Sequence, residues 1–280
     1  MPDIEVDHYV KDLIREIYIY QFDMSMAKEK IVLDDRNTWP QAFENLILPD
    51  AIQISKERAV ERSHQLEGKS WLSTVATSKY ISVKQEMALL LERYTVKAYH
   101  CTRLLNTEKI LRKGLFPLKD TTFVETMQEA LKTDGSTPDS AQEEAAIELN
   151  NYIQRDEFLN NQGKLWFYLS EVQTEEFACH DLFEYYGGRV ARAALANKRF
   201  RYYPLLKKIG TPALISARVS LADGTAEQLE GLAEQLVDYI LDEEENRPVQ
   251  PIRAELSISK PLHPEDIIEL NEWELAYSQY

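Results

Sequence analysis

Thr95-Val96-Lys97-Ala98-Tyr99-His100-Cys101-Thr102-Arg103, continuing to Glu108-Lys109-Ile110-Leu111-Arg112-Lys113-Gly114-Leu115-Phe116-Pro117, is the stretch on which the reading of this chain turns. Thr95 to Tyr99 is a β-type run. Asn106 or Thr107 can cap a helix carrying Ile110 and Leu111, and Gly114 stands where a left-handed C-cap residue belongs. The unit reads as strand, polar corner, short helix, glycine stop, then an extended exit through Leu118. His100 beside Cys101 invites a thiol nucleophile and its base. Neighbours on a strand point to opposite faces, however, so the two would not meet without a sharp turn.

Downstream, residues 123–160 read as two polar helices around a loop containing Asp134-Gly135 and Pro138. Lys164–Ser170 is the clearest strand in the sequence, dense in aromatics. A helix follows from about Thr174 and ends or bends at Tyr185-Tyr186-Gly187-Gly188. Ala213–Leu221 alternates like a half-buried strand, and Ala226–Glu245 is an acidic helix with Leu229, Leu232, Leu236, Val237 and Ile240 on one face. Ile252–Ile258 alternates as a strand, and Pro261 to Leu270 reads as a turn and a short strand. Upstream, the first 95 residues read as mostly helical, through Val10, Leu13, Ile14, Ile17 and Tyr18, then a stripe from Ala42 to Ile47, then Ser82–Tyr94. Asn37-Thr38-Trp39-Pro40 interrupts, with Pro40 suited to a first helical turn, and Pro49 breaks the stripe. The expected organisation is a helical region over 1–95 and an α+β domain over 96–280.

The 280 residues suffice for a full core, and no apolar run approaches the roughly 20 residues that span a bilayer. No membrane association is therefore expected. The acidic start lacks the basic head of a secretory signal, and the two cysteines, Cys101 and Cys179, have no metal-type spacing. Reduced thiols in a cytoplasmic protein and no metal are expected. The net charge of −15 sets a repulsive field against phosphate backbones, although Lys198, Arg199, Arg201, Lys207 and Lys208 cluster. The acidic helix 226–245 reads as a solvated face or as a dock for a basic partner. The sequence holds no phosphate-cradling glycine loop, no Gly-x-Ser-x-Gly elbow and no His-Glu-x-x-His helix.

The Tyr99–Arg103 corner with Glu108–Pro117 resembles the first motif of the ADP-ribosyltransferase fold, which commonly has His-x-Thr or His-x-Ser before a helix ending in Ile-x-x-x-Gly-Leu-x-Pro. Trp166-Phe167-Tyr168-Leu169-Ser170 resembles the second motif, a strand bearing a tyrosine. Gln250–Ile258, with Asp266-Ile267-Ile268 after it, resembles the third, a glutamate opening a late strand. The likeness is closest to the His-Tyr-Glu branch and covers about 97–270. It also extends to bacterial proteins of unassigned role in which Gly-Gly-Glu follows the second motif, where this chain has Gly187-Gly188-Arg189.

The resemblance implies a split β-sheet core with helical insertions and NAD as a substrate. It also implies a catalytic set of Glu255, His100 and Tyr168. Cleavage at the nicotinamide ribose passes through an oxocarbenium-like species, as glycoside cleavage does. His100 would bond the adenine-side ribose, with Thr102 or Ser170 holding other polar groups of the dinucleotide. Tyr168 would stack on nicotinamide, and Tyr185 would line the same side. Glu255 would hold the ribose 2′-hydroxyl and offset positive charge. Arg103 or Arg189 would meet the pyrophosphate. Each has a plainer reading: His100 bonded to a backbone carbonyl, Tyr168 and Tyr185 filling the core, Glu255 exposed on a strand. The function implied is transfer of ADP-ribose to a macromolecule, protein rather than nucleic acid, in a toxin or defence setting. The alternatives are a non-catalytic nucleotide-binding or protein-interaction module, and an RNA 2′-phosphotransferase.

Overall fold

The computed structural model describes residues 30–66, 78–133 and 138–273. The helical stripe expected around Val10–Tyr18 and the Asp134-Gly135 turn lie outside these residues. Strand β1 (Lys30–Ile31) leads to helices α1 (Gln41–Ile47), α2 (Ala51–Leu66) and α3 (Lys79–Leu91). Strand β2 (Thr95–Leu104) and helix α4 (Thr107–Lys113) follow, then α5 (Asp120–Thr133), α6 (Asp139–Tyr152) and α7 (Asp156–Leu159). Strand β3 (Leu165–Tyr168) precedes α8 (Phe177–Glu184), α9 (Gly188–Ala194) and α10 (Arg199–Lys208). The chain closes through β4 (Thr211–Ser220), α11 (Ala226–Glu244), β5 (Glu255–Ile258) and β6 (Ile267–Glu272).

The fold class is α+β. One open sheet runs in the order β5-β3-β2-β4-β6 with every neighbouring pair antiparallel. β2 is the spine. β4 pairs with its whole length, from Thr95↔Ser220 to Leu104↔Thr211. On its other side the short β3 meets it only at Tyr99↔Tyr168, and β1 lies parallel to its start through Lys30↔Thr95 and Ile31↔Val96.

The strand–helix–glycine unit forms as expected. Asn106 caps α4, its side chain accepting from Lys109 N at 2.9 Å, and Gly114 ends the helix with φ +80°. The glycine is also required sterically, because a Cβ there would stand 1.9 Å from the Leu262 carbonyl oxygen. That carbonyl accepts from Leu115 N at 3.0 Å, tying the exit of α4 to the approach to β6. β2 runs five residues beyond the expected Tyr99, so the polar corner itself is strand.

α11 opens with a capping box between Thr225 and Gln228 and buries Leu229, Leu232, Leu236, Val237 and Ile240. The main core joins these residues to Val96, Ala98, Phe167, Ile215 and Leu256 of the sheet and to Ile31, Phe43, Ile47, Ile54, Val83 and Met87 of the first third. The expected boundary near residue 95 thus marks a change from helix to strand. Both sides of it share one core. The acidic face of α11 answers to basic groups of the same chain. Arg58, 1% exposed, reaches Asp238, Asp242 and Glu245, while Arg62 bonds Asp238 and Arg36 lies 3.4 Å from Glu243. A second core lies within the insertion formed by α5–α7, α9 and α10. No helix among the described residues is long and apolar enough to cross a membrane.

Candidate functional site

The residues of the three motifs lie on three neighbouring strands, and strand parity divides them between two faces. Val96 and Ala98 of β2 face the main core, so His100 and Thr102 continue along that face. Tyr99, Cys101 and Arg103 point the other way. Register carries the same division across the sheet. Tyr99 pairs with Tyr168, and Tyr168 pairs with Glu255, so these three share the second face. Phe167 and Leu256 belong to the face of His100.

On the second face, Tyr99, Cys101, Tyr168, Cys179, Phe183 and Leu214 form a small apolar cluster beneath α8. Within it the Cys179 thiol donates to the Gln173 carbonyl at 2.9 Å. Gln173 in turn accepts from Ala254 N at 3.2 Å, which holds the start of β5 where Glu255 stands exposed. Arg253 reaches Glu176 at 2.8 Å alongside. Burial raises the Tyr168 phenol well above the usual tyrosine range, and its bond to Cys179 adds to this; Arg189 opposes and Glu255 reinforces the rise. The bond from Cys101 lowers the Cys179 thiol, against burial, with Tyr168 and Arg189 contributing. Tyr168 and Glu255 are therefore cross-strand neighbours, and the charge of Arg189 acts on Tyr168.

His100 is not in that group. Its Nδ1 lies 2.9 Å from the Trp166 carbonyl, and its ring tilts against Phe167 at 5.7 Å. A carbonyl only accepts, so Nδ1 carries the proton and Nε2 of the neutral ring is left as the acceptor. Burial holds the imidazole below the usual histidine range, against the Trp166 carbonyl, which favours the charged form. The plainer reading of His100, a strand-end histidine on a backbone carbonyl, describes this bond. Thr102, on the same face, places its hydroxyl 3.5 Å from the Arg103 carbonyl.

Three further residues expected at a dinucleotide have other engagements. Arg103 is 8% exposed, and its guanidinium donates to the carbonyls of Ile209 at 2.8 Å, Phe183 at 2.7 Å and Gly210 at 2.6 Å. The guanidinium expected at a pyrophosphate here ties β2 to the ends of α8 and α10. Ser170 is fully buried and donates to Asp34, whose other oxygen accepts from Glu171 N at 2.7 Å. Tyr185 belongs to the second core, 5.2 Å from the Tyr203 ring, with Lys207 and Arg192 over its own ring. Asp181 of the His180-Asp181 pair is bridged to Arg192.

Sequence reasoning missed Asp34, Gln173 and Cys179 as members of this region. Asp34 and Gln173 act through backbone amides far away in sequence, and no spacing rule signals that. Cys179 was noted only as the second of two cysteines. No group of histidine, cysteine or carboxylate side chains among the described residues has a metal-holding arrangement. Compared with known proteins, the chain matches no family model, no curated protein and no solved structure.

Proposed function

We propose that this chain is an NAD-dependent ADP-ribosyltransferase acting on a macromolecular target, with Glu255 and Tyr168 at the reacting end of the nucleotide. The observation that carries the reading is the cross-strand pairing of Tyr168 with Glu255, next to Tyr99. An exposed carboxylate on an edge strand can accept the 2′-hydroxyl of the nicotinamide ribose and offset the positive charge that grows as the glycosidic bond breaks. An acceptor nucleophile then bonds the ribose carbon and loses its proton, and nicotinamide leaves with the electron pair of the broken bond. Arg189, the second arginine expected at the pyrophosphate, can bond it in bidentate fashion.

A second reading, a nucleotide-binding module without turnover, is favoured by His100. Its imidazole lies across the sheet from Tyr168 and is bonded to backbone, so the three motif residues do not converge on one face. An RNA 2′-phosphotransferase would need several arginines around one phosphate, and the engagement of Arg103 counts against it.

Labelled NAD incubated with the protein and cell lysate separates these. Enzyme activity requires nicotinamide release and transferred label from the wild type, with Glu255→Gln slowing both about 10²–10³-fold while retaining NAD affinity. His100→Ala should change release less than Glu255→Gln does. Binding without release in the wild type would leave the module, and absence of binding would end both nucleotide readings.

A further inference from the structure

The two cysteines of this chain, one on β2 and one on α8, meet in the interior. Cys101 is 4% exposed and Cys179 is fully buried, and both belong to the six-residue cluster between α8 and the sheet. A buried residue touches about 6–12 others, so two cysteines set down at random in a 280-residue chain would meet in roughly one case in thirty. A cysteine serving only as a small buried hydrophobe gains nothing from touching the other one. Tyr168 belongs to the same cluster, so the pair lies against the strand whose cross-strand partner carries Glu255.

We propose that Cys101 and Cys179 are a reversible redox pair, closed to a disulfide by an oxidant of the peroxide class, which ties α8 covalently to β2 beside Tyr168. The Cys179 thiolate attacks a peroxide oxygen, the O–O bond breaks, and the leaving hydroxide takes up the thiol proton as water. This oxidises Cys179 to a sulfenic acid. The Cys101 sulfur then attacks the Cys179 sulfur, the S–O bond breaks, and hydroxide leaves with the Cys101 proton as a second water. Two thiols and one peroxide give one disulfide and two waters. A dithiol reductant reverses the step by exchange. Cys179 reacts first because the bond from Cys101 favours its thiolate, assisted by Tyr168 and Arg189. Cys101 is held protonated by the bond it donates to Cys179 and by burial. Both thiols are covered, so oxidation proceeds as fast as α8 lifts from the sheet.

The test treats the purified full-length chain with hydrogen peroxide, quenches, denatures, blocks the remaining thiols and maps peptides by mass. Both thiols should vanish together, the intact mass should fall by two hydrogens, a peptide linking Cys101 to Cys179 should appear, and dithiothreitol should restore both. Amide exchange in α8 should slow in the oxidised protein. With Cys101→Ser, Cys179 should gain oxygen instead. Thiols that survive peroxide in the wild type, that gain oxygen independently, or that link separate chains would overturn the proposal. A consequence for the nucleotide rests on the functional reading above. Wild-type NAD binding should weaken on oxidation and return on reduction. Absence of binding in the reduced protein would fail that reading and leave the peptide map to decide the disulfide.

Discussion

Replacing Arg103 with methionine distinguishes a ligand contact from a structural tie. The side chain is 8% exposed, and its three bonds, at 2.6 to 2.8 Å, end on carbonyls of Phe183, Ile209 and Gly210. A hydrogen bond from a charged donor contributes about 1.5–3 kcal/mol, and the three share one guanidinium and are not additive. Methionine fills the volume of the stem but leaves three carbonyls without this donor. The loss should be about 4 kcal/mol, within the range seen when one partner of a buried charged group is removed. With a urea m-value of about 3 kcal/mol per molar, the unfolding midpoint should drop by about 1.3 M. Lysine keeps the charge but lacks the planar fork, so Arg103→Lys should fall between methionine and wild type. Tryptophan fluorescence and far-UV circular dichroism in urea provide the measurement. A midpoint within about 0.3 M of wild type for Arg103→Met would refute the assignment, since that corresponds to less than about 1 kcal/mol. A fall in nucleotide affinity for Arg103→Lys with an unmoved midpoint would return this residue to the ligand.

Gly114→Ala should cost about 3 kcal/mol in the same assay, combining a positive-φ penalty with displacement of the Leu262 carbonyl that Leu115 bonds. A loss below about 1 kcal/mol would show that the chain shifts freely there. Since the His100 pKa is lower in the folded protein than the ordinary 6.5, the unfolded chain binds its proton first. Stability from this group is therefore complete above about pH 6.5 and declines as pH falls from there through the folded pKa. His100→Gln should flatten that part of the wild-type stability profile, and an identical profile in the variant would remove His100 as its source.

Much of the fold was legible because local signals and burial agreed. The Asn106 cap and Gly114 stop mark α4, and the apolar face of α11 from Leu229 to Ile240 is the face that is buried. The end of β2 was placed too early because His100, Thr102 and Arg103 are polar. The full-length pairing with β4 supplies backbone partners for them all the same. β1 was not legible at all. It is two residues long, and its pairing with β2 depends on chain some sixty residues away. The acidic helix reads as a solvated face or a dock for a basic partner because Arg58 and Arg62, which pair with it, stand far upstream in sequence.

For the candidate site, the missing quantity was register. Alternation was enough to separate His100 from Cys101 within one strand, and the structure keeps them apart. Whether His100 meets Tyr168 depends instead on which residue of β3 lies opposite Tyr99, and a slip of one residue reverses the answer. The pairing Tyr99↔Tyr168 puts Phe167 beside His100, a contact the tilted rings confirm. The same pairing puts Tyr168 with Cys101 above Cys179 and leaves Glu255 opposite Tyr168. Parity across β2, β3 and β5 therefore selects Tyr168, Glu255 and the thiol pair as one constellation. Any chemistry that also uses His100 has to reach it around the sheet, from the face it shares with Thr102.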